Sequence, residues 1–128
     1  MKKYRKYELI YLIQPEATED ERQKVHDRVE AVINEGDAWL LSREDWGKRK
    51  LAYEIRKQNK AYYTYATLIA APGITTEIER ILRMLDHCIR FMTIKLEDNI
   101  PEDRIPDLTE ASAPDAPEAE TEEEVSNG

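Results

Sequence analysis

The apolar and polar positions of the chain change period several times, and each change predicts an element. Residues 6–13 are rich in β-branched and aromatic side chains and end before Pro15, which is typical of a strand. Thr18 and Glu21 have the spacing of a capping box, so a helix is expected to begin there. Its apolar stripe at helical spacing is Val25, Val29, Val32 and Ile33. Gly36 is the expected C-cap of this helix.

The second half of the chain repeats this order. Residues 61–70 have the pattern of a strand, which Pro72 and Gly73 end. Thr76 and Glu79 again have capping-box spacing and predict the start of a second helix. Its apolar stripe is Ile78, Ile81, Leu82 and Leu85. Each half therefore predicts a strand followed by an amphipathic helix.

Three further segments have an extended pattern and complete a sheet. Residues 38–46 and 51–55 lie between the two halves, and residues 89–96 form the last predicted strand. The order β-α-β-β-α-β with right-handed crossovers gives a four-stranded antiparallel sheet with both helices on one face. The sequence therefore predicts an α+β fold of the ferredoxin-like type.

Charge predicts which strands are central. Residues 9–13 and 61–70 contain no ionised side chain, so these two strands are expected in the middle of the sheet and the charged strands at its edges. In the first strand Glu8 must stay in water, and the period of two then fixes which residues lie under the helices. Those residues are Leu9, Tyr11 and Ile13.

The net charge of −8 comes from the C-terminal end of the chain. Residues 99–128 contain ten of the 27 acidic residues and one of the 19 basic residues, which leaves 18 basic and 17 acidic residues in residues 1–98. From residue 109 onward the composition is typical of a disordered segment. We therefore expect a folded domain over residues 1–98 and a disordered acidic tail over residues 99–128. The acidic pI describes the tail and does not exclude a nucleic-acid partner for the domain.

The sequence gives little support for catalysis or for a metal site. A phosphate-binding loop after the first strand would need free backbone donors, but residues 14–17 read Gln-Pro-Glu-Ala. His87 and Cys88 are adjacent at the predicted end of the second helix, where neighbouring side chains do not face each other. We expect Cys88 to be a core residue and His87 to be partly exposed, with no cofactor, no metal ion and no small-molecule substrate. The longest apolar run, residues 9–13, is too short to cross a membrane.

Basic residues interleaved with aromatic residues are the informative class. They occur in clusters within the first 60 residues. The basic residues are Lys2, Lys3, Arg5, Lys6, Lys48, Arg49, Lys50, Arg56, Lys57 and Lys60. Such clusters fit solvated sheet edges that prevent aggregation, and they also fit a surface that contacts RNA phosphates and stacks on bases. Composition alone leaves both interpretations open.

Residues 45–57, Asp-Trp-Gly-Lys-Arg-Lys-Leu-Ala-Tyr-Glu-Ile-Arg-Lys, form a far more specific pattern. This segment resembles the hallmark of the family of the sixth protein of the bacterial small ribosomal subunit, in which a Gly, a basic pair and Leu-Ala-Tyr-x-Ile follow one another. The similarity continues in the basic-Tyr-Glu pattern of the first strand, in Lys-Ala-Tyr-Tyr at 60–63 and in Arg-Phe-Met-Thr-Ile-Lys at 90–95. It covers residues 4–97.

The resemblance implies a structural constituent of the small ribosomal subunit, without catalytic activity, on ribosomes in the cytoplasm. It also implies binding to the central domain of 16S rRNA together with the eighteenth small-subunit protein, as a heterodimer. The residues that it assigns to the partner-protein interface are Glu44, Asp45, Trp46, Arg49 and Lys50. The residues that it assigns, more loosely, to rRNA contact are Lys2, Lys3, Lys48, Arg56, Lys57 and Lys60.

The alternative function is a ferredoxin-like module that regulates an enzyme by binding a small molecule. Such a module is expected to have a Gly-rich ligand loop where the first strand meets the first helix. Residues 14–17 contain no glycine, so we favour the ribosomal interpretation.

Overall fold

The computed structural model describes residues 2–111, which form a four-stranded antiparallel sheet covered by two long helices. The elements in chain order are β1 (Lys3–Ile13), α1 (Glu19–Glu35), β2 (Ala38–Ile55), β3 (Gln58–Ala70), α2 (Ile74–Met84), β4 (Cys88–Pro101) and, after a 3₁₀ turn at Glu102–Arg104, α3 (Ile105–Ala111). The strand order β2-β3-β1-β4 confirms the expected ferredoxin-like arrangement. The two uncharged segments lie in β1 and β3, which are central as expected.

The main core lies between α1, α2 and one face of the sheet, which we call the covered face. Leu9, Tyr11 and Ile13 are all buried there, so the predicted register of β1 is confirmed. Their buried partners on the helices are Val25, Val29, Ile33, Ile78 and Leu82. A separate cluster on the opposite, open face comprises Leu12, Leu51, Ala61 and Ile89. The alternation of β1 thus places one set of side chains in the core and directs the other set to the open face.

α1 begins as the sequence predicts, whereas α2 begins earlier. The Thr18 hydroxyl accepts a hydrogen bond from the backbone N–H of Glu21, and the Glu21 carboxylate accepts one from the backbone N–H of Thr18. The helix start predicted at Thr76 is wrong, because α2 already begins at Ile74. Gly73, with φ of 98°, turns the chain out of β3 and directly into the helix, a conformation that glycine adopts easily.

β2 is one long strand that contains both of the extended segments predicted at 38–46 and 51–55, together with the residues between them. Its pairing with β3 shifts register between Asp45 and Gly47, and again between Lys50 and Ile55. Gly47 has a φ of 80°, which is typical of a residue that permits a bulge. The predicted interruption is therefore a pair of irregularities within a continuous edge strand.

The predicted boundary between domain and tail at residue 98 is wrong. β4 continues past this point, and α3 follows it. Ile100 and Ile105 are buried in a second small core at one end of the open face. Burial of these two apolar side chains stabilises the ordered chain as far as residue 111. The segment as a whole has a polar composition, which is why the sequence predicts disorder there. Residues 112–128, the remainder of the predicted acidic tail, lie outside the described residues.

Candidate partner-protein and RNA surfaces

Three of the five residues predicted at the partner interface meet on the open face. The bulge leaves Trp46 as an extra residue in β2, and its indole stacks on the Tyr65 ring with centroids 5.3 Å apart and planes 13° apart. The indole N–H donates to Glu44 Oε1 at 2.9 Å. Arg49 donates to the Trp46 carbonyl oxygen at 3.1 Å, and its guanidinium lies 5.4 Å from the indole centroid. We call Glu44, Trp46, Arg49 and Tyr65 the Trp46 cluster.

Carboxylates lie beside the aromatic rings of this cluster. The Tyr65 hydroxyl donates to Glu8 Oε2 on the neighbouring strand β1, at 2.5 Å. Burial and this hydrogen bond raise the pKa of Tyr65, so the phenol keeps its proton. Because Glu44 contributes a second negative charge, the site disfavours a phosphate and favours a cationic protein side chain.

An apolar groove lies on the same face as the Trp46 cluster and has a volume of 220 Å³. Its lining includes Ile10, Leu12, Leu51, Tyr63 and Met92. At its rim, Arg90 donates a hydrogen bond to the Tyr53 hydroxyl at 3.2 Å. Met92 and Ile94 of β4 are 40% and 43% exposed. Large exposed apolar side chains grouped on one face are typical of a surface that another macromolecule covers.

The other two residues of the predicted partner set, Asp45 and Lys50, belong to the covered face. Asp45 Oδ1 lies 3.8 Å from Nε2 of His26, and its other carboxylate oxygen lies 3.6 Å from Arg43. Lys50 pairs directly with Lys60 of β3. The structure thus divides the predicted set between two faces, and the division depends on a bulge whose exact position the sequence does not specify.

A buried histidine is a feature that sequence reasoning missed. His26 is 5% exposed, and its Nδ1 lies 2.6 Å from the Tyr11 hydroxyl. Burial, together with the nearby Arg43 guanidinium, lowers the pKa of His26. The signal is present in the sequence, because His26 precedes Val29 and Ile33 at helical spacing and so lies on the apolar stripe of α1.

The predicted rRNA-contacting residues fall into two groups at opposite ends of the sheet. The hairpin group, on the β2–β3 hairpin, is Lys48, Arg56, Lys57 and Lys60. Lys2 and Lys3 lie at the start of β1, which pairs with the far end of β3. The 13 residues of β3 span roughly 40 Å at about 3.3 Å per residue, so the two groups are not brought together. Lys2 also forms an ion pair with Asp37, which partly neutralises its charge.

Arg22 is a further cation beside the hairpin group. Its guanidinium lies 3.9 Å from the centroid of the Tyr62 ring, and the Lys48 ammonium lies 5.3 Å from the same centroid. The Tyr62 ring therefore holds one cation from α1 and one from β2 on the covered face. Sequence reasoning missed Arg22, because this contact depends on how α1 packs across β3.

Cys88 and His87, which are adjacent in the sequence, do not form a catalytic pair of nucleophile and base. Burial raises the pKa of the Cys88 thiol to about 11, so the expected core role of Cys88 is confirmed. His87 instead lies 2.8 Å from the Gln14 side chain. Both residues follow α2, which ends at Met84, so their predicted place on that helix is wrong. Within residues 2–111, no three His, Cys, Asp or Glu side chains group around a possible metal position, and no helix is long and apolar enough to cross a membrane.

Comparison with known sequences places the chain among ribosomal proteins. The family model of ribosomal protein S6 matches residues 6–95. Over 124 residues the chain is 38% identical to small ribosomal subunit protein bS6 of Trichlorobacter lovleyi, a match that covers 92% of this chain and 99% of that protein. Over 101 residues it is 34% identical to bS6 of Desulfatibacillum aliphaticivorans, covering 79% of this chain and 55% of that longer protein.

Comparison of structures agrees with the comparison of sequences. The crystal structure of 30S ribosomal protein S6 from Thermotoga maritima matches with a TM-score of 0.68 and 30% sequence identity, covering 85% of this chain and 98% of that one. The family model, the identity to bS6 proteins and the fold thus lead to one conclusion. The chain belongs to the ribosomal protein S6 family, whose members are structural, non-enzymatic proteins of the small ribosomal subunit.

Proposed function

We propose that this protein binds the central domain of 16S rRNA as a heterodimer with the eighteenth protein of the small subunit. Membership of the family supports a structural role in that subunit. The observation that best supports binding to both rRNA and a partner protein is the separation of two surfaces. One surface is aromatic and apolar and lies on the open face, and the other is cationic and lies on the β2–β3 hairpin. A protein with one surface of each kind can bind a partner protein and RNA at the same time.

The Trp46 cluster and the groove suit a protein better than a nucleic acid. Trp and Arg are enriched at the energetic centres of protein interfaces, and here Trp46, which is 38% exposed, is in contact with Arg49. Glu8 and Glu44 beside them favour a positively charged partner. We therefore place Glu44, Trp46 and Arg49 at the centre of the partner surface, whereas Asp45 and Lys50 lie on the opposite face of the same edge strand and are left out of it.

The hairpin group suits the phosphates of RNA. Its four cations are exposed, and none of them forms an ion pair with a carboxylate of the described residues. Uncompensated lysine and arginine side chains can replace the counterions of a phosphate backbone, which is the main source of affinity in such complexes. Lys2 and Lys3 are the weaker candidates, because they lie at the other end of the sheet and Lys2 is paired with Asp37.

Reconstitution from purified components tests this proposal. The full chain, the eighteenth protein and a fragment of the rRNA central domain are mixed in pairs and all together, and complexes are measured by titration at several salt concentrations. We expect the two proteins to associate without RNA, and the heterodimer to bind RNA much more tightly than this chain alone. The reason is that residues 1–98 carry a net charge of only +1.

Two outcomes would contradict the proposal in different ways. Tight, salt-sensitive RNA binding by this chain alone, unchanged by the partner, would contradict the claim that the protein binds RNA as a heterodimer. It would still agree with a role in RNA binding. Absence of RNA binding in every mixture would contradict the proposed function as a whole.

A further inference from the structure

The turn that joins β2 to β3 has an unusual composition for its geometry. Ile55 pairs with Gln58, so the loop consists of Arg56 and Lys57 alone, and their φ angles are 51° and 64°. A two-residue hairpin loop with positive φ at both positions is of type I′, which strongly favours Asn-Gly, Asp-Gly or Gly-Gly. Large side chains in the left-handed conformation are strained, so this turn makes the hairpin less stable than it could be.

A second unfavourable arrangement lies next to this turn. Lys50 and Lys60 are directly opposite each other on β2 and β3. Like charges directly opposite on paired strands destabilise a sheet. Both lysines are exposed, and the described residues supply no ion-pair partner for either of them. The free protein therefore contains, at one end of one hairpin, two features that oppose its own folding.

We propose that this hairpin end, formed by Lys50, Arg56, Lys57 and Lys60, is a binding surface for the phosphates of an RNA backbone, and that its strained turn is kept for its charge. The proposal rests on the proposed function and deepens it. A phosphate near Lys50 and Lys60 relieves their mutual repulsion, and the two turn residues present adjacent cations that Asn-Gly could not supply. The proposal also moves Lys50 from the partner set to the RNA set.

Two double variants separate charge from strain. Arg56→Gln with Lys57→Gln removes both charges and keeps two large side chains in the left-handed conformation. Arg56→Asn with Lys57→Gly removes the same charges and introduces the pair that a type I′ turn prefers. The matched control, Lys24→Gln with Arg28→Gln, removes two exposed charges from α1. Each full-length protein is measured for thermal unfolding and, together with the eighteenth protein, for binding to the rRNA fragment as salt is varied.

We expect both hairpin variants to bind RNA on the order of tenfold more weakly at about 0.1 M salt. The slope of log K against log salt should flatten by roughly 1.4–1.8, the contribution of two lost phosphate contacts. Only the Asn-Gly variant should unfold at a higher temperature than the parent protein, by several degrees, because only there is the strain removed. The control should change neither the RNA affinity nor the midpoint appreciably.

The possible failures are distinguishable. If the parent heterodimer binds RNA and both hairpin variants bind it as tightly as the parent does, the claim that this hairpin end binds RNA is overturned. The proposed function then still stands. If the parent heterodimer does not bind the RNA at all, the proposed function itself fails. An Asn-Gly variant that unfolds no higher than the Gln-Gln variant overturns the claim that the turn is kept at a cost in stability. For Lys50→Gln we expect weaker RNA binding with an unchanged heterodimer, and the opposite result would return Lys50 to the partner surface.

Discussion

The buried side chain of His26 connects α1 to the central strand β1 and to the edge strand β2. Tyr11 of β1 and His26 of α1 meet in the main core, and the other ring nitrogen of His26 faces Asp45 of β2. Burial raises the pKa of Tyr11 and lowers that of His26, so the phenol keeps its proton and its hydroxyl donates a hydrogen bond to Nδ1 of the neutral ring. The tautomer that carries its proton on Nε2, toward Asp45, then gives both ring nitrogens a suitable neighbour.

Removing the hydroxyl of Tyr11 should leave the acceptor on His26 unpaired inside the core. We expect Tyr11→Phe to lower the free energy of unfolding by about 1–3 kcal/mol, which is the usual effect of a buried polar group that loses its partner. Urea unfolding at neutral pH measures this change. Tyr53→Phe is the matched control, because Tyr53 is 62% exposed and the same substitution there should change stability by less than about 0.5 kcal/mol. Equal losses in the two variants would contradict a specific role for the Tyr11 hydroxyl.

The same histidine should make stability depend on pH. Its pKa in the folded protein is lowered from the ordinary value of 6.5, chiefly by burial, so the unfolded chain takes up a proton first as the pH falls. The contribution of His26 to stability is therefore complete above about pH 6.5 and decreases below it until the folded protein is protonated as well. Unfolding free energies at pH 7.5 and pH 5.5 should show this decrease, and His26→Gln should reduce it. His87→Gln, which removes the other of the two histidines, is the control, and an undiminished decrease in His26→Gln would contradict the argument.

For helices and strands, the sequence predicts the features that neighbouring residues determine. It misses the features that depend on contacts between residues distant in the sequence. The capping box of α1 and the alternation of β1 act within a few residues, and both are confirmed. The start of α2 was misplaced because a glycine in the left-handed conformation replaced the expected side-chain cap. α3 was missed because its order comes from Ile105 packing on residues distant in sequence, Tyr4 and Ile69, rather than from its own polar composition.

The role of α3 leads to a prediction about truncation. A chain that ends at residue 104 loses Ile105, which is 4% exposed, and uncovers the second small core, so we expect it to be about 2–5 kcal/mol less stable. A chain that ends at residue 111 loses only one large apolar residue, Val125, and should unfold at nearly the same midpoint as the full chain. Thermal and urea unfolding of the two truncated chains check both statements. Equal stability of the two would mean that α3 contributes nothing to the fold.

In the folded molecule, the sheet places side chains that are neighbours in the sequence on opposite faces. Residues 44–50 contain two acidic residues, then a tryptophan and a glycine, then three basic residues, and their types alone indicate an interaction surface. Their division between faces follows from strand alternation and from the bulge before Gly47, which places Trp46 and Arg49 on the open face and Lys48 on the covered face. Sequence reasoning therefore identified most of the candidate residues but could not assign each of them to a face of the sheet. The covered face supplies cations at the hairpin, and the open face supplies aromatic and apolar area.

If the two surfaces serve different partners, substitutions on the open face should act on the heterodimer and hardly on the RNA. We expect Trp46→Ala to weaken association with the eighteenth protein by about 2 kcal/mol or more, roughly thirtyfold in Kd, and Arg49→Ala to weaken it less. Most of the change should be in the dissociation rate, because such contacts form after the encounter. Surface-immobilised kinetics without RNA measure this, with thermal unfolding as the check that each variant is folded. Lys57→Ala is the matched control, since Lys57 lies at the hairpin tip and should leave the protein heterodimer unchanged. A Trp46→Ala protein that keeps the parent dissociation rate while losing RNA affinity would mean that the Trp46 cluster contacts RNA instead of the partner.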